Sequence, residues 1–282
     1  MAKILIVGAG DLGGRVATGL ADAGHAVHAL RRRLLAPPGV TAVCADVTRP
    51  ETLRMLPADL DAVVIALSPG EPGEAAYRAT YLDGTRHVLA ALRGRPPRVL
   101  VWVSSTSVYG ESAGEWVDED TPTRPTSATA QVLCDSEALV RASGLPATCV
   151  RLSGLYGPGR HRLLRWLASG RPVQAEPPAW TNRIHVEDAA ALVTHLVMRG
   201  LAGEAIPAMV IGTDDCPVPQ HEVLDWLAER TGLPALPRIS GGAETGKRLR
   251  NRGLHGLGLA LRYPDFRTGY ENVLNSTGDA WR

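Results

Sequence analysis

Three glycines near the start of the chain have the spacing of a phosphate-binding turn. Gly8, Gly10 and Gly13 follow an apolar run at residues 4–7 and open a helical pattern. The first glycine of such a turn permits a sharp bend, the second lets the backbone approach a pyrophosphate, and the third lets helix and strand pack closely. Amide groups at the helix N-terminus would bind the phosphates. We therefore predict a dinucleotide site that includes Gly8, Gly10, Asp11, Leu12 and Gly13.

An arginine pair predicts which dinucleotide binds. A chain that binds NAD usually carries Asp or Glu at the end of its second strand, where the carboxylate contacts the ribose 2′-hydroxyl. This chain has Arg31 and Arg32 after its second apolar run, and guanidinium groups bind a 2′-phosphate through paired, charge-assisted hydrogen bonds. The pair favours NADP over NAD, although a solvated basic loop has the same composition. The remaining predicted contacts, at the ends of the next two strands, are Asp46, Val47, Ala66 and Leu67.

Motifs for hydrolytic and metal chemistry are absent from the sequence. It contains neither the GxSxG of serine hydrolases nor the HExxH of zinc proteases. No group of His, Cys and Asp residues has the spacing of metal ligands, so we predict no metal site. The cysteines are scattered and are predicted to be reduced thiols; they are Cys44, Cys134, Cys149 and Cys216.

The first two thirds of the chain alternate short apolar runs with helical patterns. The predicted strands are residues 4–7, 26–30, 40–45, 62–67, 99–103 and 147–152. The predicted helices between them are residues 11–23, 51–56, 74–92 and 131–142. Such alternation predicts an α/β fold with a Rossmann-like, doubly wound parallel sheet that has helices on both faces.

The alternation ends at residues 156–181, which are rich in Gly, Pro, Arg and Trp. We predict a Rossmann domain made of residues 1–155 and 182–212. A smaller C-terminal substrate lobe is predicted from residues 156–181 and 213–282. Its helical pattern is clearest at residues 220–230.

Composition and charge exclude several classes of partner. The chain has 30 basic and 29 acidic residues in 282, a formal net charge of +1, which argues against a general nucleic-acid binder. No apolar run approaches the roughly 18–20 residues of a membrane span, and the first ten residues enter a strand pattern without a signal peptide. We expect a cytoplasmic protein that binds a small-molecule substrate, with neither nucleic acid nor membrane as partner.

The longer motifs resemble those of a known family. The chain is similar to the extended and atypical short-chain dehydrogenase/reductases, specifically the NAD-dependent epimerase/dehydratase group, over almost its whole length. The similarity is carried by the segments 6–13 (IVGAGDLG), 81–85 (YLDGT), 103–110 (VSSTSVYG), 151–160 (RLSGLYGPGR) and 182–188 (NRIHVED). The segments SSTSVYG (residues 104–110) and RLSGLYGPGR (residues 151–160) are far more specific than the glycine turn.

The resemblance implies a Ser–Tyr–Lys active site beside the nicotinamide, and this chain has kept only part of it. Ser105 matches the family serine, which orients the substrate oxygen. The family pattern Tyr-x-x-x-Lys, followed four residues later by a glutamate at Glu137, places Thr129 at the tyrosine and Leu133 at the lysine. A helical Asn that often completes the set falls on Tyr81. Thr129 is too weakly acidic to replace a phenol, and Leu133 cannot stabilise an anion.

Other residues must therefore move the proton if the chain is an enzyme. We predict that Ser105 positions a substrate oxygen while Tyr109 or Tyr156 acts as the acid or base, although either tyrosine could equally be a packing residue. Arg160 and Arg183 are candidates for an anionic group of the substrate. His185, beside Arg183, completes the predicted substrate contacts, with a structural role as its alternative.

Two further interpretations stay open. The loss of both Tyr and Lys would suit a non-catalytic NADP(H)-binding redox sensor or regulatory protein, and a bare scaffold without nucleotide is the third alternative. The resemblance also implies that a homodimer would form through the helices at residues 74–92 and 131–142. Only two basic residues are lysines, Lys3 and Lys247, and neither can fill the position of Leu133.

Overall fold

The computed structural model describes residues 1–277, which form two compact units. Unit 1 comprises Met1–Val108, Thr123–Arg151 and Ala190–Val210. Unit 2 comprises Tyr109–Pro122, Leu152–Ala189 and the chain from Ile211 onward. The last five residues of the predicted substrate lobe, 278–282, lie outside the described residues.

Strands and helices are numbered in chain order. The strands are β1 (Lys3–Val7), β2 (Ala26–Arg31), β3 (Thr41–Cys44), β4 (Ala62–Ile65), β5 (Val99–Ser105), β6 (Ala113–Val117), β7 (Ala147–Leu152), β8 (Gly154–Tyr156), β9 (Val173–Glu176), β10 (Trp180–Thr181), β11 (Arg183–His185), β12 (Met209–Gly212), β13 (Val218–Pro219), β14 (Arg238–Ser240) and β15 (Gly246–Leu249). The α-helices are α1 (Asp11–Asp22), α2 (Glu74–Tyr77), α3 (Gly84–Leu92), α4 (Ala128–Arg141), α5 (Arg162–Ala168), α6 (Val186–Leu201), α7 (Gln220–Thr231), α8 (Arg252–Gly256) and α9 (Phe266–Thr277). Short 3-10 helices lie at Pro50–Met55 and Thr106–Val108, and a π-helical segment lies at Arg78–Asp83.

A seven-stranded sheet in the order β12-β7-β5-β4-β1-β2-β3 confirms the predicted α/β fold. The pairings of β1 with β2 and β4, of β2 with β3, and of β4 with β5 are all parallel. Every residue of β4 and the first four of β5 have no exposed surface, as expected for strands covered by helices on both faces. The strand order reverses between β1 and β4, where doubly wound sheets open a crevice at the carboxyl ends of their strands.

The helix predicted at residues 74–92 is not a continuous α-helix. It runs from α2 through the π-helical segment Arg78–Asp83 into α3. A π-turn holds an extra residue, which changes the helix face on which the following side chains lie. The helical pattern of the sequence averages over this single turn and therefore did not reveal it.

Helix α4 begins earlier than the apolar pattern predicted. The Ser127 hydroxyl accepts a hydrogen bond from the amide of Ala130 at 3.2 Å and thus satisfies one of the amides that a helix start leaves without a partner. Because of this cap the helix starts at Ala128 instead of residue 131, and Thr129 lies in its first turn.

Unit 2 contains short strand pairs that have no counterpart among the predicted strands. The pairs are β15 with β6, β11 with β8, β14 with β9, and β10 with β13. The first two pairs explain why residues 109–122 and 182–189 group with unit 2. The domain boundaries predicted from the sequence assign these residues to the Rossmann domain instead. Helices α5, α7 and α9 supply most of an apolar core in this unit.

Among the helices of residues 1–277, none has the length and apolar character needed to span a membrane.

Candidate functional site

A cavity of about 650 Å³ opens in unit 1 beside the glycine turn. We call it the glycine-loop cavity; the described residues that line it are Gly8, Ala9, Gly10, Leu30, Arg31, Arg32, Arg33, Ala45, Asp46, Val47, Thr48, Ala66, Leu67, Ser68, Gly70 and Thr80. Eight of the eleven residues predicted for the dinucleotide site are among them. The other three, Asp11, Leu12 and Gly13, follow in the first turn of α1. The structure therefore brings the predicted residues together at the point where the strand order reverses.

Each glycine of the turn has a different steric reason to be glycine. Gly8 has a φ of +89°, and a Cβ on it would stand 2.5 Å from the carbonyl oxygen of Ala66. A Cβ on Gly13 would stand 2.4 Å from the carbonyl oxygen of Gly8. At Gly10, by contrast, no described heavy atom lies within 4 Å of the Cβ position. Gly8 and Gly13 are required by the protein's own packing, whereas the absence of a side chain at Gly10 leaves space in the cavity, as expected of a glycine beside a pyrophosphate.

Arginines outnumber carboxylates among the residues that line this cavity. Arg31 ends β2, and the guanidinium of Arg32 lies 3.4 Å from the Cβ position of Gly70. Among the described lining residues Asp46 is the one carboxylate, and its Oδ1 accepts hydrogen bonds from the amide and hydroxyl of Thr48 at 2.9 and 2.8 Å. These bonds close the turn after β3 and engage the carboxylate of Asp46.

Some residues that line the glycine-loop cavity were not predicted from the sequence. Ser68 and Gly70 belong to the loop after β4, and Thr80 lies in the π-helical segment. The loop residues follow a predicted strand and could have been included on that ground. Thr80 could not, because its position depends on the π-turn.

The positions of the family's active-site motif lie in unit 1. Ser105 ends β5 half-buried, and its Oγ accepts a hydrogen bond from the amide of Ser107 at 3.2 Å. The Thr129 hydroxyl lies 3.2 Å from the Ser127 hydroxyl. Leu133 is buried among apolar neighbours of α4. Thr129 and Leu133 thus supply neither a phenol nor a cation at these two positions, and their match to the family's Tyr and Lys stays a prediction.

Glu137, the last residue of that motif, lies at the centre of a buried ion pair. Its carboxylate accepts hydrogen bonds from Arg151 Nε at 2.9 Å and Nη2 at 2.6 Å, and from the Ser104 hydroxyl at 2.6 Å. Burial alone would raise the pKa of Glu137, but the hydrogen bonds and charge of Arg151 hold that pKa below its usual range. The network ties α4 to β5 and β7.

The two tyrosines proposed as proton donors are buried in unit 2. The Tyr109 hydroxyl donates to the carbonyl oxygen of Asp118 at 3.1 Å, and the Tyr156 hydroxyl donates to that of Asp265 at 3.3 Å. Burial raises the pKa of Tyr156. These contacts favour a packing role for both phenols, and their assignment as proton donors stays a prediction.

A second cavity, of about 920 Å³, lies within unit 2 and is rich in cations. We call it the arginine cavity, after Arg160, Arg162, Arg165, Arg171 and Arg183 in its wall. His161, Asn182, Gln220 and Tyr270 also line it, and none of its described lining residues is a carboxylate. The cavity therefore suits an anionic ligand.

Two buried polar atoms of this wall have no hydrogen-bond partner among the described residues: Nη1 of Arg183 and Nε2 of His161. Groups of this kind are costly unless a ligand or water pairs them. Asp214 lies behind the wall; burial raises its pKa to about 8, against the opposing charge of Arg183. The charge available to a ligand is thus mainly that of the arginines.

The three predicted substrate contacts do not all reach this cavity. Arg160 and Arg183 line it, but His185 does not. The His185 ring has no exposed surface and packs between Tyr156, at 5.2 Å, and Tyr263, at 3.9 Å between ring centroids. The structure thus places His185 in the packing of unit 2, the structural alternative for this residue. Arg162, Arg165 and Arg171 were missed, because arginine alone does not distinguish a cavity wall from a solvated surface.

Known proteins share both the sequence pattern and the fold. The family model of the NAD dependent epimerase/dehydratase family matches residues 4–212. Protein YeeZ of Escherichia coli (strain K12) is 33% identical over 219 residues, 72% of this chain and 76% of that protein. A structure from Methylobacillus flagellatus, described as a candidate NAD-dependent epimerase/dehydratase, is 36% identical with a TM-score of 0.85 and covers 98% of both chains.

A more distant structure agrees in fold. The enzyme WbmH of Bordetella bronchiseptica, solved in complex with NAD+, has a TM-score of 0.81 at 18% identity, over 100% of both chains. At this identity the similarity shows the fold alone. The family match and the nearer relatives carry the assignment: this chain belongs to the NAD-dependent epimerase/dehydratase family.

Proposed function

We propose that this protein is an NADP(H)-dependent oxidoreductase or epimerase-like enzyme that acts on a hydroxyl or carbonyl group of a small or sugar-like substrate. Its family is one of NAD(P)-dependent enzymes. The preference for NADP rests on one observation, the presence of Arg31 and Arg32 in the wall of the glycine-loop cavity. When bound, the nicotinamide exchanges a hydride with a substrate carbon.

The choice of NADP follows from charge. A ribose 2′-phosphate is a dianion near neutral pH, and guanidinium groups remain charged at any pH a protein tolerates. The carboxylate that would select a 2′-hydroxyl is not at the end of β2, where Arg31 stands. Asp46, in the turn after the neighbouring strand, is engaged by Thr48. We therefore expect these charges together to attract the 2′-phosphate.

Replacing both Arg31 and Arg32 by alanine is expected to weaken NADPH binding by about 100-fold and to leave NADH binding nearly unchanged. Hydrogen bonds to charged groups contribute roughly 1.5–3 kcal/mol each, and about 2.7 kcal/mol corresponds to a factor of 100. Fluorescence titrations with NADPH and NADH measure both affinities. Arg54→Ala, an exposed arginine outside this cavity, is the control. Tighter binding of NADH than NADPH by the wild type would contradict the proposed preference.

We propose that the substrate is anionic and is held by Arg160 and Arg183. Support comes from the arginine cavity, whose wall is cationic and includes the unpartnered Nη1 of Arg183. A planar guanidinium contacts a carboxylate or phosphate through two parallel hydrogen bonds, which orient the ligand as well as bind it. Ser105 is proposed to orient the reacting oxygen. A homodimer built on the helices predicted at residues 74–92 and 131–142 and a cytoplasmic location stay predictions.

Ser105→Ala is expected to lower the rate of NADPH oxidation at least tenfold, whereas Thr129→Ala should leave it within about twofold. Loss of one hydrogen bond to a developing charge costs about 1.5–3 kcal/mol, and the Thr129 hydroxyl already pairs with Ser127. The assay follows NADPH absorbance with a panel of aldoses and simple ketones. A wild type that binds NADPH tightly but oxidises none of it would favour the sensor interpretation.

A further inference from the structure

The wall of the arginine cavity contains two sets of polar residues, all of them within unit 2. The first set, which we call the inner group, is buried and consists of His161, Arg183, Gln220 and Tyr270. The second set, which we call the outer arginines, is exposed and consists of Arg162, Arg165 and Arg171. The cavity measures about 920 Å³. Small-molecule sites of roughly 300–1,000 Å³ bury most of their ligand, so a ligand that fills this cavity contacts both sets.

The inner group contains one guanidinium, and the fold fixes its orientation. Arg183 donates through Nη2 to the Thr181 hydroxyl, and its guanidinium carbon lies 5.6 Å from the centroid of the Phe266 ring. Nη1 of Arg183 is buried without a partner among the described residues, and so is Nε2 of His161. Buried polar atoms in proteins are almost always hydrogen-bonded. A ligand at the inner group can supply the partners of both atoms.

The inner group has a single permanent positive charge. Burial raises the pKa of Tyr270 to about 12 against the charges of Arg183 and Arg162, so the phenol stays a neutral hydrogen-bond donor at pH 7. Burial also raises the pKa of Asp214, behind the wall, to about 8, so this carboxyl group cancels little of the charge of Arg183. One guanidinium balances a carboxylate, whereas a phosphate dianion would keep a buried charge without a counter-ion, which is costly.

The outer arginines can bind a second anion. Arg162 and Arg165 lie three residues apart on α5, so their side chains lie on the same face of the helix. The guanidinium carbon of Arg171 lies 5.3 Å from the centroid of the Trp166 ring, which lines the cavity as well. No described carboxylate lines the cavity with these arginines. Three guanidinium groups suit a phosphate, whose oxygens accept several charge-assisted hydrogen bonds.

We propose that the substrate carries two anionic groups, a carboxylate that binds the inner group and a phosphate that binds the outer arginines. This inference rests on the proposed function and deepens it, because it names the substrate as a phosphorylated organic acid. Arg183 supplies the charge that recognises the carboxylate. Tyr270 and Gln220 are positioning residues that orient the carboxylate through hydrogen bonds.

Three open-chain probes with the same number of carbon atoms test the two anionic groups separately. 6-Phosphogluconate carries both groups, gluconate carries the carboxylate alone, and sorbitol 6-phosphate carries the phosphate alone. Calorimetric titration of the whole protein without dinucleotide measures the three affinities. We expect 6-phosphogluconate to bind at least about tenfold more tightly than either other probe, because one charged hydrogen bond contributes a factor of about ten or more. Equal affinity for 6-phosphogluconate and sorbitol 6-phosphate, or no binding of any probe, would overturn the proposal.

Variants of the two sets should change the affinities in opposite patterns. Arg183→Gln should weaken gluconate and 6-phosphogluconate at least about tenfold and leave sorbitol 6-phosphate unchanged. Tyr270→Phe keeps the ring packing and should show the same pattern, about tenfold, even if Arg183→Gln does not fold. Joint replacement of Arg162 and Arg165 by glutamine should weaken both phosphorylated probes and leave gluconate unchanged. Arg252→Gln, an exposed arginine of unit 2 outside the cavity, is the control. Equal losses for gluconate and sorbitol 6-phosphate in Tyr270→Phe would overturn the proposal.

The titrations contain no dinucleotide, so their outcome does not depend on whether the protein oxidises NADPH. If the pattern fails while NADPH is oxidised with the panel of aldoses and ketones, the proposed function stands and the substrate class is wrong. If the pattern holds and 6-phosphogluconate, sorbitol 6-phosphate and the panel give no turnover with either form of the dinucleotide, the cavity binds a phosphorylated acid and the proposed enzymatic function fails.

Discussion

Gly10→Val is expected to weaken NADPH binding by more than about 100-fold and to leave the protein folded. The Cβ position of Gly10 meets no described atom within 4 Å, so the added methyl groups fill cavity space that a pyrophosphate needs. The lost affinity corresponds to about 2.7 kcal/mol or more. An NADPH titration measures the loss, and thermal unfolding checks that the fold is retained.

A neighbouring glycine in helix α1 supplies the control variant for this test. Gly14, one turn into α1, has only the carbonyl oxygen of Ala9 near its Cβ position, at 3.8 Å. Gly14→Ala should keep NADPH affinity and raise stability by up to about 1 kcal/mol, the difference in helix propensity. Gly8 and Gly13 are unsuitable for this test, because their substitution disturbs the packing itself. Equal NADPH affinity of Gly10→Val and wild type would show that the dinucleotide does not bind at this turn.

Glu137→Ala is expected to destabilise the protein by about 3–5 kcal/mol. The substitution leaves the buried guanidinium of Arg151 without its carboxylate, and removal of one partner from a buried ion pair costs about this much. The Ser104 hydroxyl loses its acceptor as well. Urea unfolding at pH 7 gives the free energy of unfolding. The control is Arg95→Ala, which breaks an exposed pair with Asp59 and should cost about 0–1 kcal/mol.

The contribution of Glu137 should also depend on pH in a defined direction. Its pKa is lower in the folded protein than in the unfolded chain, so the folded state favours the carboxylate. The stabilisation is therefore fully present above the unfolded pKa, about 4.3, and is lost as the pH falls through the folded value. We expect the stability difference between wild type and Glu137→Gln to shrink in acid below about pH 4. A difference that stays constant down to pH 3 would exclude the ion pair as its source.

The loss of the family's Tyr and Lys has a physical consequence for the rest of the site. Position 133 is buried and is occupied by the apolar side chain of Leu133. The buried ion pair between Glu137 and Arg151 lies four residues further along α4 and connects this helix to β7. The arginine cavity of unit 2 supplies the cations that we propose bind the substrate.

The pattern of the first 155 residues was sufficient to predict the fold and most of the residues that line the glycine-loop cavity. Parallel strands buried on both faces must be continuous apolar runs, and β4 and β5 are. The glycine turn could be identified because the carboxyl ends of neighbouring parallel strands meet at one edge, which brings Gly8, Arg31 and Asp46 together. These features follow from local periodicity and from chain direction, both of which can be read in sequence order.

The sequence by itself thus determined the class of fold and the position of the glycine turn. Only the tertiary structure decided that His185 and Tyr156 pack together, that five arginines share one cavity, and that Lys247 contacts Tyr109. These contacts depend on pairs of strands two to five residues long, such as β6 with β15, whose partners lie far apart in the chain. Strands this short have too few residues to show an alternating pattern, and their pairing is fixed only when the surrounding core forms.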